Sequence, residues 1–375
     1  MPDGMSVGNH IGFRGRIQGR GATISPAPRH EARAAEPFDD GWAALGAVFA
    51  DLPPLPTTLT PDRSRTALSY NTSPDLPFDR SVNPYKGCEH GCIYCYARPT
   101  HAYLGLSPGL DFETRIHFKP DVAQQLEREL SRPGYVPRPI QLGANTDPYQ
   151  PVERTLRLTR QVLEVLERFG HPASIVTKGA GVLRDLDILR RMADRRLMRV
   201  WLSVTTLDGH LARRMEPRAA APARRVEAIR ALAEAGIPTG VLAAPMIPGL
   251  NDAELERILQ AARGAGAQHA GYVLLRLPHE LRDLVAAWLH EHFPDRARHV
   301  LGLVRETRAG ALNDPRFGTR MAGAGAYADA LAQRFALAKR RLGFDDRSPL
   351  GTDHFAPPGP AACATAAPEA QLSLL

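Results

Sequence analysis

The sequence predicts an α/β fold in which six strand–helix units form an open, partial (β/α)6 barrel of the TIM type. Short apolar or β-branched runs alternate with longer amphipathic stretches through the middle of the 375-residue chain. Such alternation is typical of parallel strands joined by right-handed helical crossovers. Six units fall short of the eight that close a complete barrel, so we expect an open one.

The strand and helix signals can be placed one by one. The first strand lies near residues 80–83, and the others are PIQLGAN (139–145), ASIVTK (173–178), RVWLSVT (199–205), TGVLAAPM (239–246) and AGYVLLRLP (270–278). Helices are predicted in LRLTRQVLEVLERF (156–169), VLRDLDILRRMAD (182–194), PARRVEAIRALAEAG (222–236) and DAELERILQAARGAG (252–266). In the first helix, an apolar stripe is formed by Val162, Val165, Leu166 and Phe169.

Composition divides the chain into four parts. Residues 1–66 are rich in Gly, Pro, Ala and Arg and are expected to be mostly disordered, with one short apolar patch at 41–52 that suits a helix. The barrel core is placed at 67–292, and a helical extension at 293–345 is expected to cover its open side. The last part, 346–375, is expected to be a flexible tail.

Charge and hydropathy limit the possible partners. No apolar run reaches the roughly 18 residues of a membrane-spanning helix, and the N-terminus lacks the apolar core of a secretory signal. A cysteine-poor chain with clustered thiols then predicts a reducing, cytoplasmic location. The net charge of +7, carried almost wholly by arginine, permits a polyanionic partner such as nucleic acid without demonstrating one. The oligomeric state is left open.

Three of the four cysteines lie within eight residues, in NPYKGCEHGCIYCYARPTH (83–101). Cys88, Cys92 and Cys95 form a C-x3-C-x2-C motif. Iron–sulfur cubanes are normally held by four thiolates. Three thiolates would leave one iron without a protein ligand, and an open coordination position is where metal chemistry takes place. The fourth cysteine, Cys363, lies far away in the predicted tail.

Two other interpretations of the cysteines remain open. A structural zinc site would use His90 or His101 as the fourth ligand, and the chain would then be a non-catalytic, zinc-stabilised nucleic-acid-binding protein. Alternatively, the chain would be an iron–sulfur electron carrier, although carriers usually bind every iron through the protein.

Polar side chains follow several of the predicted strands, where the chemistry of such folds collects. Asn145 ends the second strand and Thr146 follows it, Lys178 ends the third, and Ser203 and Thr205 lie at the end of the fourth. A lysine ammonium and strand-end hydroxyls can bind a carboxylate or a ribose. Turn formation or a lysine reaching solvent are the structural alternatives at these positions.

The cysteine spacing, with Tyr94 before the third cysteine, resembles the signature of the radical S-adenosylmethionine (radical SAM) enzymes. The ordered patches TDPYQPVE, VTKG, SVTTLD and AAPMIPGLND narrow the resemblance to the bacterial group related to spore photoproduct lyase, often labelled DNA repair photolyase-like. The resemblance covers roughly residues 81–277 and has the same partial-barrel fold.

The resemblance implies a function. It implies one 4Fe-4S cluster, S-adenosylmethionine chelated to the open iron, and a flavodoxin or ferredoxin-type reductant. Reductive cleavage would give a 5′-deoxyadenosyl radical that abstracts hydrogen from a substrate. The backbone of Tyr94 would lie next to adenine, while Thr146, Lys178 and Ser203 would contact the methionine moiety. No catalytic residue is assigned.

One position departs from the group. Spore photoproduct lyase carries a hydrogen-donating cysteine at the end of the second strand, and the corresponding residue here is Ala144. Thymine-dimer reversal by the same route therefore does not follow from the resemblance. Tyr96 and Tyr149 are the alternative hydrogen donors, and the substrate is left open between nucleic acid, peptide and small molecule.

Overall fold

The computed structural model describes residues 10–14, 16–30, 55–345 and 349–357. Its strands, in chain order, are β1 His10–Arg14, β2 Ile24–Pro26, β3 Thr58–Pro61, β4 Leu68–Tyr70, β5 Arg80–Val82, β6 Tyr85–Lys86, β7 Arg115–Phe118, β8 Ile140–Leu142, β9 Ala173–Thr177, β10 Met198–Ser203, β11 Thr239–Met246 and β12 His269–Leu274.

Twelve α-helices accompany these strands in the described residues. They are α1 Leu110–Thr114, α2 Val122–Leu130, α3 Glu153–Leu156, α4 Leu158–Arg168, α5 Leu186–Asp194, α6 Gly209–Met215, α7 Pro222–Glu234, α8 Leu255–Gly264, α9 Leu281–His292, α10 Pro294–Glu306, α11 Thr319–Ala322 and α12 Ala326–Arg341. None of the described helices is both long and apolar enough to cross a membrane.

A seven-stranded sheet forms the barrel, in the order β12-β11-β10-β9-β8-β5-β4. The six strands from β5 to β12 in this sheet are parallel, and β4 pairs antiparallel with β5 at the edge. All six predicted strands are therefore confirmed, in the predicted succession. Their apolar residues are buried because helices and inward-facing side chains cover both faces of a parallel sheet.

The helices between the strands also follow the sequence pattern. In α4 the predicted stripe of Val162, Val165, Leu166 and Phe169 is buried. These side chains belong to the large core that includes the sheet. Full burial of one such side chain stabilises a fold by roughly 1.5–3 kcal/mol, which explains why the 3.6-residue period is a dependable signal here.

The C-terminal extension packs at two places. Helix α12 lies against β12 and α8, where the rings of Tyr272 and Phe335 are 4.8 Å apart. Helices α9 and α10 pack together around the buried Trp288. This second core also contains Cys92, Ile93 and Tyr94 from the cysteine loop. The helical character predicted for this region is confirmed, and part of it supports the cysteine loop.

Part of the N-terminal segment is folded, although its composition predicted mostly disorder. Strand β3 pairs with β7 and thereby joins a small sheet with β6. Residues 16–30, here called the N-terminal strap, are held by Glu113, which accepts hydrogen bonds from the Gly21 and Ala22 amides at 2.9 Å each. Composition missed this folding because the stability comes from partners far along the chain. The apolar patch at 41–52 lies outside the described residues.

The beginning of the predicted C-terminal tail also packs on the core. Phe355 lies against the rings of Tyr135, Phe169 and His171. The Ala356 amide donates to the Phe169 carbonyl at 3.0 Å. Residues 358–375, with Cys363, lie outside the described part of the chain, and the division into four parts stays a prediction.

Candidate active site

The cysteine loop is anchored by its backbone. The Cys88 amide donates to the Phe112 carbonyl and the Ile93 amide to the Met215 carbonyl, both at 2.9 Å. Gly91 has a backbone φ of 68°, a left-handed conformation that residues other than glycine rarely adopt. A Cβ there would also lie 2.9 Å from Glu113. The loop is thus held on both sides, with its three cysteines free.

A buried arginine, Arg98, fixes the shape of this loop through hydrogen bonds to its carbonyl groups. Arg98 is fully buried and donates to the carbonyls of Cys92 at 2.8 Å and Gly91 at 3.2 Å. It also forms an ion pair with the fully buried Glu113. Sequence reasoning missed Arg98, because one arginine after a motif carries no signal in an arginine-rich chain. Its contacts make it a positioning residue for the cysteines.

The donor set suits an iron–sulfur cluster. Cys88 and Cys92 are buried and Cys95 is half-buried. Burial raises the pKa of all three thiols, so a bound cation is needed to keep them as thiolates. Within the described residues, no three His, Cys, Asp or Glu side chains are placed to share one metal ion. A cubane does not require that arrangement, because each thiolate binds a different iron.

A network of hydrogen bonds centred on Lys178 lies beside the loop. Its Nζ donates to Ser203 Oγ at 2.6 Å, to Thr205 Oγ1 at 3.0 Å and to the Ala244 carbonyl at 3.2 Å. The Tyr94 hydroxyl hydrogen-bonds with Thr205 at 3.0 Å, and its ring centroid is 5.3 Å from Nζ. Three strand ends and the cysteine loop therefore meet at one lysine, which we call the Lys178 network.

The network contains a buried carboxylate that the sequence did not reveal. Glu216, just after α6, is 2% exposed and lies 3.6 Å from Lys178 Nζ. It accepts a hydrogen bond from Tyr94 and pairs with the buried Arg225 of α7. Burial alone would raise the pKa of Glu216, but Arg225 and Lys178 outweigh it and hold the pKa below its usual value. Glu216 is therefore a buried anion between two cations.

Asp147 connects the network to the cysteine loop. It accepts hydrogen bonds from the Lys178 amide at 2.7 Å and from Thr177 Oγ1 at 2.6 Å. Its Oδ2 lies 3.3 Å from His90 Nδ1. Burial opposes ionisation, yet the neighbouring His90 and these hydrogen bonds lower the pKa of Asp147 to about 2. The position of Lys178 is thus fixed through its backbone as well as through its ammonium group.

Comparison with known proteins identifies the family. The model of the radical SAM superfamily matches residues 82–262. An uncharacterized protein of Mycobacterium tuberculosis strain H37Rv is 35% identical over 276 residues, which cover 72% of this chain and 77% of that protein. The chain belongs to the radical SAM superfamily. It is therefore an enzyme, and its cofactors are a 4Fe-4S cluster and S-adenosylmethionine, as the sequence analysis predicted.

Further matches extend the comparison. Spore photoproduct lyase complexed with dinucleoside spore photoproduct superposes with a TM-score of 0.55 and 17% identity, covering 76% of this chain and 79% of that one. At this identity the likeness shows the fold alone, which is the predicted partial barrel. The radical SAM Nalpha-GlyT isomerase of Pseudomonas phage M6 is 23% identical over 235 residues, covering 61% of this chain and 46% of that protein.

The predicted cofactor-binding residues fall into two groups. Tyr94, Lys178, Ser203 and Thr205 meet in the Lys178 network. Thr146 donates its hydroxyl to the Tyr85 carbonyl at 2.8 Å, and the Asn145 amide donates to Asn83 Oδ1 at 3.0 Å. These last two residues connect the loop after β8 to β6 and to the loop after β5, and they do not enter the network. The cofactor role of all six stays a prediction.

The two histidines proposed as zinc ligands have protein partners. His90 faces Asp147, as described above. The Nε2 of His101 donates to the Arg115 carbonyl at 3.0 Å, and burial lowers the pKa of His101 to about 4. His101 is therefore hydrogen-bonded within the loop region, and His90 lies at ion-pair distance from Asp147.

Proposed function

We propose that Cys88, Cys92 and Cys95 hold the 4Fe-4S cluster and that the Lys178 network binds the methionine moiety of S-adenosylmethionine. When bound, these groups supply reductive cleavage of the sulfonium bond and abstraction of a hydrogen atom from the substrate. The observation that carries the proposal is the meeting of the cysteine loop with a charged network at the carboxyl ends of three parallel strands.

The charge of the network supports its role. Lys178, Arg225 and Glu216 together carry a formal charge of +1, and the hydroxyls around Lys178 are neutral. The Asp147 carboxylate is engaged by the Lys178 backbone amide, Thr177 and His90, away from the ammonium group. A bound carboxylate would balance this charge in a site where solvent screening is weak. Lys178 would orient the carboxylate, while Ser203 and Thr205 can each donate or accept a further hydrogen bond.

Tyr94 would act through its backbone. Its hydroxyl is engaged by Glu216 and Thr205, which fixes the ring inside the network. The main chain of Tyr94 is consequently held between the cysteine loop and the strand ends, where the adenine is expected. This arrangement agrees with the role implied by the resemblance.

Of the two tyrosines considered as hydrogen donors, Tyr96 is the better placed. Its hydroxyl donates to the carbonyl of Ala144, the residue at the position of the lyase cysteine. The Tyr149 hydroxyl instead donates to Asp185 Oδ2 at 3.0 Å. The Tyr96 side chain is 49% exposed, and a tyrosine phenol stays protonated at neutral pH and so keeps its hydrogen. We infer that Tyr96, not Tyr149, is the donor.

The remaining assignments concern partners. A flavodoxin or ferredoxin-type protein would supply the electron, and the predicted cytoplasmic location agrees with a reducing environment for the thiols. For the substrate, we favour a nucleic acid or nucleotide, on the basic charge of the chain and on the dinucleoside ligand of the spore photoproduct lyase complex. The lyase reaction itself is not inferred, because of Ala144.

The cysteine assignment can be tested with a control from the same chain. Anaerobically reconstituted wild type, Cys92→Ala and Cys363→Ala would be compared for iron content and for 5′-deoxyadenosine formed after reduction with S-adenosylmethionine. We expect about four irons and product from wild type and Cys363→Ala, and neither from Cys92→Ala. One tightly held zinc per chain would favour the zinc-stabilised binding protein, and iron without product would favour the electron carrier.

A further inference from the structure

A second concave site lies outside the Lys178 network. A cavity of about 340 Å³, open to solvent on one side, is lined by the N-terminal strap, the end of α6 and the end of α9. It adjoins the cysteine loop from outside: Pro217, which lines the cavity, would lie 3.3 Å from a Cβ on Gly91. A Cβ on Gly21 of the strap would lie 1.9 Å from the Gly91 carbonyl oxygen. The strap therefore closes one wall of this cavity, here called the strap pocket.

The strap pocket is strongly cationic. Four of its lining residues are arginines: Arg16, Arg20, Arg213 and Arg214. Arg16 pairs with Glu291 at 3.0 Å, whereas Arg20 donates to the backbone carbonyl of Glu113 at 2.8 Å. Among the described residues, Arg213 and Arg214 have no carboxylate partner.

The charge exceeds what the helix ends require. Arg213 and Arg214 stand in the last turn of α6, where cations complement the helix dipole. Each of the two helix C-termini at the pocket carries about half a negative elementary charge. The carboxylates of Glu113 and Glu89 near Arg20 are paired with Arg98 and Arg218 and cancel in the count. The four guanidinium groups of the pocket against Glu291 and these two partial charges then leave an excess of roughly two positive charges. The pocket is therefore suited to an anion.

Two buried polar atoms in the pocket support the same conclusion. Thr23 is 5% exposed, and its Oγ1 has no hydrogen-bond partner among the described residues. The Nδ1 of His292 is likewise buried without a partner in the described part of the chain. A buried polar group left unpaired costs roughly 1–3 kcal/mol, and a ligand that hydrogen-bonds to these two atoms would remove that cost. Burial and then the nearby Arg16 and Arg214 lower the pKa of His292 to about 4, which agrees with the cationic surroundings.

We propose that the strap pocket binds a phosphate group, carried by a nucleotide or by a nucleic-acid strand. Guanidinium groups bind phosphate through paired hydrogen bonds, and Thr23 adds a hydroxyl. The volume lies at the lower end of the range for small-molecule sites, which gives room for a sugar attached to the phosphate. The proposal does not depend on the radical reaction, because binding here can be measured without turnover.

The test measures binding to the reconstituted full chain with saturating S-adenosylmethionine, which keeps nucleotides out of the cofactor site. Binding is measured by titration calorimetry. The probes are adenosine 5′-monophosphate, inorganic phosphate, a single-stranded oligonucleotide and adenosine. The variants are Arg213→Gln combined with Arg214→Gln, and Thr23→Val. Arg230→Gln, on the exposed face of α7, is the matched control.

We expect adenosine 5′-monophosphate to bind wild type and Arg230→Gln equally, and the double arginine variant at least tenfold more weakly. Thr23→Val should weaken binding several-fold without lowering the unfolding temperature, since it removes an unpaired hydroxyl from a buried position. Tighter binding of the oligonucleotide than of the monophosphate would identify a strand as the source of the phosphate, and the reverse order would identify a free nucleotide.

Three results would overturn the proposal. The first is equal binding of adenosine and its monophosphate, and the second is unchanged affinity in the double arginine variant. The third is a double arginine variant that binds the phosphate probes as wild type does but whose cluster is reduced more slowly by flavodoxin. That result would make the pocket a docking site for an acidic reductant. None of these readouts depends on whether the chain forms 5′-deoxyadenosine, so they are separate from the test of the proposed function.

Discussion

Glu216→Gln is one of two substitutions, with Arg98→Met, for which the structure predicts the largest changes in stability. The new side chain keeps the size of the old one, but Arg225 becomes an uncompensated buried cation and Lys178 loses its nearest anion at 3.6 Å. Removing one partner of a buried ion pair typically costs about 3–5 kcal/mol. We therefore expect the free energy of unfolding to fall by that amount.

The same chain provides a control with the same chemistry at the surface. Glu227 pairs with Arg224 at 2.6 Å, with exposed side-chain fractions of 55% and 67%. Exposed pairs contribute about 0–1 kcal/mol, so Glu227→Gln should hardly change stability. Urea unfolding of the cluster-free chain, followed by circular dichroism and tryptophan fluorescence, would measure both. If Glu216→Gln stays within 1 kcal/mol of wild type, the network is not the buried charge cluster described here.

Two further predictions concern the loop and the core. Arg98→Met should reduce the iron retained per chain and destabilise the fold by about 3–5 kcal/mol, because the buried Glu113 loses its cation and keeps only the Gly21 and Ala22 amides as partners among the described residues. Arg115→Met, at an exposed pair, serves as the control, and equal iron content in both variants would contradict the role of Arg98. Burial lowers the pKa of His171 from 6.5 to about 4. The unfolded chain then binds more protons as the pH falls below 6.5, so stability should decrease from pH 7 to pH 4.5. His171→Gln should remove about 2–3 kcal/mol of that decrease, and an unchanged pH profile would contradict the assignment.

The strands and the cysteine motif could be predicted because their signals are local. Short apolar runs indicate buried parallel strands without knowledge of their partners, and all six lie in the sheet. The rule that functional residues lie at the carboxyl ends of parallel strands predicts that Lys178, Ser203 and Thr205 are close together, and their hydrogen bonds confirm it. The same rule predicted Asn145 and Thr146 beside them, whereas their hydrogen bonds go to Asn83, which follows β5, and to Tyr85 of β6.

The features that the sequence did not reveal are contacts between distant residues. Glu216 ends a short helix and Arg225 lies in the next one, and neither position differs in pattern from an exposed charge. Their burial follows only from the packing of α6 and α7 beneath the strand ends. The N-terminal strap is a similar case, since Glu113 holds Gly21 and Ala22 from more than 90 residues away. Amino-acid composition indicates neither the buried ion pair nor the hydrogen bonds between the strap and Glu113.

The most direct test of the account is the electron paramagnetic resonance spectrum of the reduced cluster during titration with S-adenosylmethionine. Wild type, Lys178→Met and the control Lys339→Met on α12 would be compared. We predict that the cofactor changes the spectrum of wild type and control. We also predict that Lys178→Met requires roughly tenfold or more cofactor for the same change, because a charge-assisted hydrogen bond is lost. A reduced cluster whose spectrum does not respond to S-adenosylmethionine in wild type, or a titration that is identical in Lys178→Met, would contradict the account.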